Sequence, residues 1–588
     1  MALESGHLGP PSLQPSPPSP PSPSSRPLGP FRIVIAGGGV AGVSCVEELI
    51  ACVCSLRLAS TLGSEGCGVR YHVTLVSSDG GALKRSEREG DGEGDGEGDG
   101  ATRALGHREV SVRMEESDAV VRWLEGKLGD QCLKERVRLE FVQGTVVGVD
   151  TRQKVLLLGG DGDGLVGDGV TGEDVSGGHR RLSYDRLCVC TGASPKRLLG
   201  GEEPPGSEGV VVTVRDTDSV AGVRAMLAGV GQGKLVVVGN GGIALDVVAG
   251  VRGLDVCWVV RHESIGDAFF DGECGRFLEE ELLALRQEGI DGSSGEEKKR
   301  KGMEGADGRS RGVFVPRGAT KQPVMGGAGV GPAWAAGGAL GGDDRGYGAL
   351  VVEKGCEVTR IEQERGREGE HGDGGRWKVE LSNGKTIRDV SMVISAIGVD
   401  PSPNVAWLPE EIRRAPDGGV VVDVDMRTSC QDVFAAGDAC TVSYPSHQSL
   451  SQDINTTWFQ MRLWSQARSM GIRAAHCILG LQDRMASDMA FDVFTHSTTF
   501  LGKRVVLLGS FNGQGLIGGV NLYSRVTGDT PGRRNFARVV VQDGKVKGAI
   551  LMGETELSEV LEHLILDGLD VSSFGADILS VDLEDIFD

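Results

Sequence analysis

The sequence predicts an α/β fold in which two Rossmann-like dinucleotide-binding domains are followed by a smaller C-terminal α+β domain. Three observations carry this. Phe31–Ala36 is a short apolar strand that runs into Gly37-x-Gly39-x-x-Gly42 and then into the helix-patterned Val43–Ile50. Lys234–Val238 repeats the device, leading into Gly239-x-Gly241-x-x-Ala244. Between and after them, Tyr184–Ala193 and Val390–Gly398 each end an apolar run in small residues, as crossings between two domains do.

The spacing of the glycines has a mechanism. The first makes the tight turn out of the strand, the second lets the backbone approach a pyrophosphate, and the third lets the helix pack on the strand, with the phosphates at the positive helix N-terminus. Gly37, Gly38, Gly39 and Gly42 form the first such loop, and Gly239, Gly241 and Ala244 the second. Two dinucleotides are therefore expected. A further motif, Thr428–Asp438, places Gly437 and Asp438 at the end of a strand-turn, where an acid meets a ribityl chain and its phosphate.

Bulk properties bound the rest. A chain of 588 residues is too long for one core and divides into about three or four domains. A formal charge of −22 argues against non-specific nucleic-acid or anionic-membrane binding, which rely on basic patches. No run of about eighteen apolar residues exists, so no membrane span is expected, and the Pro/Ser-rich residues 1–30 read as a disordered extension. A soluble protein of the cytoplasm, and of the nucleus if the basic cluster after Gly295 acts in import, is the expectation.

The 13 cysteines are scattered, which does not suit a secreted disulfide framework. No C-x-x-C occurs. The nearest pairs, Cys52/Cys54 and Cys188/Cys190, are C-x-C, and only Cys45 lies early in the first helix. No dedicated redox disulfide is expected. Nor is a metal site: the alternating acids near residues 90–100 lack the fixed ligands and terminal Glu of a calcium loop, so that tract reads as solvated chain.

The ordered motifs over residues 31–480 resemble the pyridine nucleotide-disulfide oxidoreductase superfamily, and Phe269-Phe-Asp271, Gly331-Pro-Ala-Trp334, Gln460–Arg468 and Met552–Glu559 resemble one branch of it through to the C-terminus. The resemblance implies FAD on the first glycine loop and NAD(P)H on the second, in two Rossmann-like domains of the three-layer ββα type. The implied division is 31–214 and 391–490 for FAD, 215–390 for NAD(P) and 491–588 for the C-terminal domain, with flexible inserts at 85–110, 159–178 and 287–347.

Individual residues follow from that division. Ser77 ends the second strand where relatives place an acid on the adenosine ribose, with Asp79 two residues on. Lys84 either lies near the flavin ring, paired with Asp246, or faces solvent. Thr191 and Gly192 let the backbone approach the flavin, and Gly398 ends the second crossing. Arg261 stands where an acid would select NAD, so it attracts a 2′-phosphate and favours NADPH or acceptance of both nucleotides, unless it is an ordinary surface cation. Trp458–Trp464 is followed by a helical run to about Gly480, whose N-terminus the resemblance points at the flavin; Trp458 stacks near the nicotinamide or gates oxygen, unless it is a core or interface aromatic, as Trp464 reads. His563 reads as structural.

These features predict an FAD-dependent NAD(P)H oxidoreductase passing hydride to an unidentified electron acceptor. The alternative is a slow-turnover redox-guard protein acting through a partner surface. The resemblance implies such a partner, the metal-dependent RNA ligase complex of tRNA splicing, protected against oxidation.

Overall fold

The computed structural model describes residues 30–60, 70–78, 81–89, 108–116, 137–159, 179–201, 206–207, 209–215, 217–230, 233–299, 346–364, 376–443, 457–481 and 492–579; of residues 54–60, 81–89, 108–116, 217–218, 288–299 and 576 only the backbone is described. Five parallel strands make the first sheet, in the order Val433–Ala435, Arg186–Val189, Phe31–Ala36, Tyr71–Ser77 and Val137–Gln143. Ile33 to Ala36 are buried to the last residue. A parallel strand covered on both faces reads as a continuous apolar run for this reason. Helix α1 (Val40–Ser60) leaves the carboxyl end of that central strand and lays Cys45, Val46 and Leu49 into the core.

Val137–Gln143 differs from expectation. The alternation in that stretch suggests a meander, but the strand adds seven paired residues to the edge of the parallel sheet beside Tyr71–Ser77. The meander is made instead by Val146–Asp150, Val155–Gly159 and His179–Ser183. The run Leu182–Cys190, expected as one strand, is split at Tyr184, whose N–H donates to Lys154 O, while the N–H of Asp185 donates to Arg32 O. Gly81–Glu89 and Arg108–Glu116 pair antiparallel, so a β-ribbon enters both ends of the segment 85–110 that reads as solvated loop; residues 90–107 lie outside the described residues, as does the insert from 160 to 178.

The second sheet runs Leu350–Lys354, Asp255–Val260, Lys234–Val238, Thr386–Ser395, Trp377–Leu381 and Val358–Gln363, with Val211–Thr213 beside the end of Thr386–Ser395. Helices α2 (Thr217–Gly229), α3 (Gly242–Gly250) and α4 (Gly272–Lys299) accompany it. α4 continues to Lys299, into the stretch after 287 that reads as flexible. Residues 300–345, with Gly331–Trp334, lie outside the described residues.

Helix α5 (Trp464–Ile478) returns to pack on α1, where Gly471 is so close that a Cβ there would meet Ala41 O at 2.3 Å. The last sheet is antiparallel, in the order Thr495–Phe500, Lys503–Gly509, Lys545–Met552, Asn535–Gln542 and Val520–Thr527, with α6 (Ser558–Asp567) on one face. Its first strand starts at Thr495, and Val520–Thr527 is an edge strand whose many exposed side chains carry no apolar signal. Ion pairs dock this sheet on α4. Fully buried Arg538 binds Asp271 at 2.6 Å and Glu273 at 2.5 Å, and buried Glu281 binds Arg534 at 2.8 Å and Lys503 at 3.3 Å. That docking carries His496 and Phe500 onto Phe269 and Phe270.

Candidate functional site

Two cavities open at the carboxyl ends of the first two sheets, where ligands of doubly wound sheets bind. One, of about 640 Å³, is bordered by Gly37 to Ala41, Ser77, Cys190 to Pro195, Asn404 and Asp438. The other, of about 800 Å³, is bordered by Gly239 to Ile243, Arg261, His262, Glu357, Gly398, Met461 to Ser465 and His496. Val40, Arg215 and Trp464 border both. The cavities are thus neighbours across three side chains.

The glycine loops divide their labour. Gly37 has φ +127° and a Cβ there would lie 2.1 Å from Cys190 O; Gly239 has φ +134° and a Cβ would lie 2.2 Å from Ala396 O. These two positions admit only glycine. At Gly39 a Cβ would meet nothing within 4 Å, and at Gly241 only the Ala268 methyl at 4.0 Å. Those two face open space, the feature a cradle for a dinucleotide's phosphates needs, and α1 and α3 begin just beyond them. Gly42, Ala244 and Gly437 border neither cavity and pack instead: a Cβ at Gly42 would strike Gly37 O at 1.9 Å, and one at Gly437 the Ala41 methyl at 2.8 Å. The residues present fit two dinucleotides.

Asp438 is 7% exposed, and Arg215 Nη2 donates to its Oδ2 at 2.6 Å while Arg215 Nε donates to Ala193 O at 2.9 Å. The Thr191–Ala193 crossing is pinned from its other side. Asn404 Nδ2 donates to Thr191 O at 2.8 Å, Thr191 Oγ1 donates to Asn404 O at 2.9 Å, and Ser194 Oγ donates to Asn404 Oδ1 at 2.6 Å. Arg462, at φ +54°, donates through Nε to Asp438 O at 3.1 Å and through Nη2 to Asp417 at 2.7 Å.

At the second loop, buried Trp258 donates to Gly239 O at 2.7 Å. Asn240 Nδ2 donates to Ser264 O at 2.8 Å, its Oδ1 accepts from Gly266 N at 2.6 Å, and the amide also meets Asp267, itself bonded to His262. Arg261 does not stand alone at the mouth: its Nε lies 2.6 Å from Glu357 Oε1. His496 stacks on Phe269 at 6.0 Å, with Ser465 Oγ 3.3 Å from Nδ1, and burial pushes its imidazole down to about 4.

Other residues singled out from the sequence fall elsewhere. Trp458 packs against the first core and borders neither cavity. The helix begins at Trp464; before it, Gln466 accepts from Met461 N and donates to Phe459 O, and Gln460 bonds Val442 N and Cys440 O, holding residues 459–462 out of helical form. Trp464, read as core, is the tryptophan at both cavities. Asp246 is 8% exposed in α3 and borders neither cavity; the side chain of Lys84 and all of Asp79 lie outside the described residues. His563 lies on α6, in the third domain. Arg215, Glu357 and His496 were missed, since a lone charge or histidine in a loop or strand carries no local signal.

The buried thiols are poor nucleophiles. Cys188 and Cys190 lie with sulfurs 3.5 Å apart, and the Cys190 thiol is held well above the usual range by its contact with Cys188 and by burial. Among the described residues no helix is long and apolar enough to cross a membrane.

A family model described as pyridine nucleotide-disulphide oxidoreductase matches residues 31–310 and 351–471. The chain belongs to the pyridine nucleotide-disulphide oxidoreductase family. It is 34% identical over 590 residues to the mouse pyridine nucleotide-disulfide oxidoreductase domain-containing protein 1, covering 96% of this chain and 99% of that protein, and 32% identical over 568 residues to the zebrafish protein of that name, covering 95% and 98%. In fold it is similar to a putidaredoxin reductase solved in covalent complex with putidaredoxin (TM-score 0.55, 15% identity, 95% of this chain and 98% of that one). A water-forming NADH oxidase from Lactobacillus brevis gives a TM-score of 0.51 at 15% identity, with 92% of each chain covered. The family's cofactors, FAD and NAD(P)H, are those of this chain, which is a flavin-dependent pyridine nucleotide oxidoreductase.

Proposed function

We propose that FAD occupies the 640 Å³ cavity, the nicotinamide dinucleotide the 800 Å³ cavity, and that the protein reduces an acceptor without a dedicated disulfide of its own. The observation that carries this is the shared wall of Val40, Arg215 and Trp464. When bound, the two cofactors supply hydride transfer from nicotinamide to flavin. The chain's own residues then bind, orient and exclude water. Gly37, Gly38 and Gly39 receive one diphosphate and Gly239 and Gly241 the other, at the positive ends of α1 and α3. Asp438, fixed by Arg215, accepts hydrogen bonds from sugar or ribityl hydroxyls, and Thr191 and Gly192 offer backbone. Gly398, Met461 and Trp464 wall the meeting point, with the positive N-terminus of α5 beside it. Arg261 meets the adenosine end, beside Glu357.

A slow-turnover guard is the second reading, supported by the way Thr498, His496 and Phe500 of the last sheet close over the larger cavity. Protection of the tRNA-splicing RNA ligase complex, in cytoplasm and nucleus, belongs to that reading. One experiment tests both. The purified protein is reduced anaerobically with NADPH or NADH, its visible spectrum is followed, and air is admitted. Bleaching of a bound flavin is expected; prompt recovery supports the oxidoreductase with a soluble acceptor, and a long-lived reduced complex the guard. A protein that holds no flavin and loads none would overturn the assignment of the Gly37 loop and Asp438.

A further inference from the structure

On the far side of α1 from the smaller cavity's glycine loop, three side chains of different chemistry converge between α1 and α5. Glu48 and Cys52 are four residues apart on α1 and so share a face. His476 stands opposite, near the end of α5. Glu48 Oε1 lies 2.8 Å from His476 Nε2 and 3.4 Å from Cys52 Sγ, and the three donor atoms all lie within 4.8 Å of one another. His476 is 1% exposed and Cys52 6%, while Glu48 is half-buried.

We propose that Glu48, Cys52 and His476 form a binding site for a zinc-class divalent cation that staples α1 to α5. Sulfur, imidazole and carboxylate together are the donors of borderline cations, whereas calcium and magnesium take oxygen. Binding releases the Cys52 thiol proton to solvent, and the proton that His476 Nε2 shares with Glu48 leaves Nε2, the imidazole staying neutral with its proton on Nδ1. A dication then balances one thiolate and one carboxylate around a neutral imidazole, so the buried site carries no net charge. Bond lengths of about 2.0–2.3 Å in a tetrahedron place ligand atoms roughly 3.3–3.7 Å apart, so the observed contacts adapt by side-chain shifts of less than about 1 Å. Three protein donors leave the fourth position of a tetrahedral cation to water. Arg468, about two turns before His476 on α5, adds positive charge near Glu48 and limits affinity without occupying the site. The sequence carries no sign of this site, because Glu48 and His476 are 428 residues apart.

The staple has a consequence for the cofactor site. α1 begins at the first glycine loop and α5 begins at Trp464, which borders both cavities, so a staple between mid-α1 and the end of α5 steadies the wall between the cavities.

The test uses the full chain, stripped with a chelator and titrated with Zn²⁺ against a chromophoric competitor, with zinc X-ray absorption on the loaded protein. One equivalent is expected, with one sulfur ligand at about 2.3 Å. Cys52→Ser and His476→Gln are expected to weaken binding at least about a hundredfold, Glu48→Gln about tenfold or more, and Cys430→Ser, remote from the three, not at all. Flavin content and metal-free melting temperature report folding of each variant. Substoichiometric zinc in the wild type, a site without sulfur, or wild-type affinity in Cys52→Ser would each overturn the proposal. If Cys52→Ser and His476→Gln fail to fold, the sulfur count in the wild type decides alone. Flavin binding by the stripped protein is read separately, so loss of this site leaves the cofactor assignment standing.

Discussion

Arg215 Nη2 reaches Asp438 Oδ2 at 2.6 Å, a contact between residues 223 apart that ties the entry to α2 to the Gly-Asp turn after the first sheet's last-arriving strand. Since Asp438 is buried, removing the cation leaves a carboxylate without that partner, which costs about 3 kcal/mol. Arg215→Ala should purify with less FAD, bind added FAD at least about tenfold more weakly and melt lower, measured by flavin-to-protein ratio and calorimetry. Wild-type flavin content and melting in this variant would sink the role given to the pair.

The two glycines of each loop should fail differently. Gly37→Ala and Gly239→Ala place a methyl against backbone carbonyls and should destabilise the fold itself. Gly39→Ala and Gly241→Ala meet open space. Their apoproteins should melt near wild type, yet Gly39→Ala should lose FAD affinity by about a hundredfold, and Gly241→Ala should keep flavin and raise the KM for NAD(P)H by a similar factor. Thermal melts beside titrations separate the two classes.

Nucleotide preference turns on a surface pair. Arg261 is 71% and Glu357 53% exposed, so their bond contributes only about 0.2–1 kcal/mol, but Glu357 offsets the charge that a 2′-phosphate would meet. Glu357→Gln should lower the KM for NADPH relative to NADH by about three- to tenfold, and Arg261→Gln should move it the other way. Equal ratios in all three proteins would show that the pair does not read the 2′ position.

His496 makes stability depend on acid. Its folded value, pushed down from 6.5 to about 4 by burial, means that between these values the unfolded chain binds a proton that the native state does not. Stability from this group is therefore complete above about pH 6.5 and is lost as pH falls towards 4, by up to about 3 kcal/mol. Urea titrations at pH 7, 6 and 5 should show the slope, and His496→Gln should flatten it. Unchanged slope in the variant assigns the acid sensitivity to other groups.

Much of the cofactor site was legible along the chain. Each glycine loop is a strand, a turn and a helix start within a dozen residues, so its chemistry is written locally, and the same is true of Gly437–Asp438. Local pattern misled where tertiary contacts overrode it. Trp458 reads as a residue near the nicotinamide, but it packs against the first core, and Trp464 is the tryptophan that borders both cavities. Val137–Gln143 alternates like a meander strand, yet the free edge of the first sheet captures it.

By itself, then, the sequence determined two strand–glycine–helix units, their order, and the absence of a C-x-x-C pair, because each depends on neighbours in the chain. Only the tertiary structure decided that Arg215 meets Asp438, that Glu357 faces Arg261, that His496 of the last sheet covers the larger cavity, and that Glu48 and Cys52 meet His476. Those contacts join segments brought together by sheet order and by the docking of Arg538 and Glu281, and no periodicity of 2 or 3.6 residues records them.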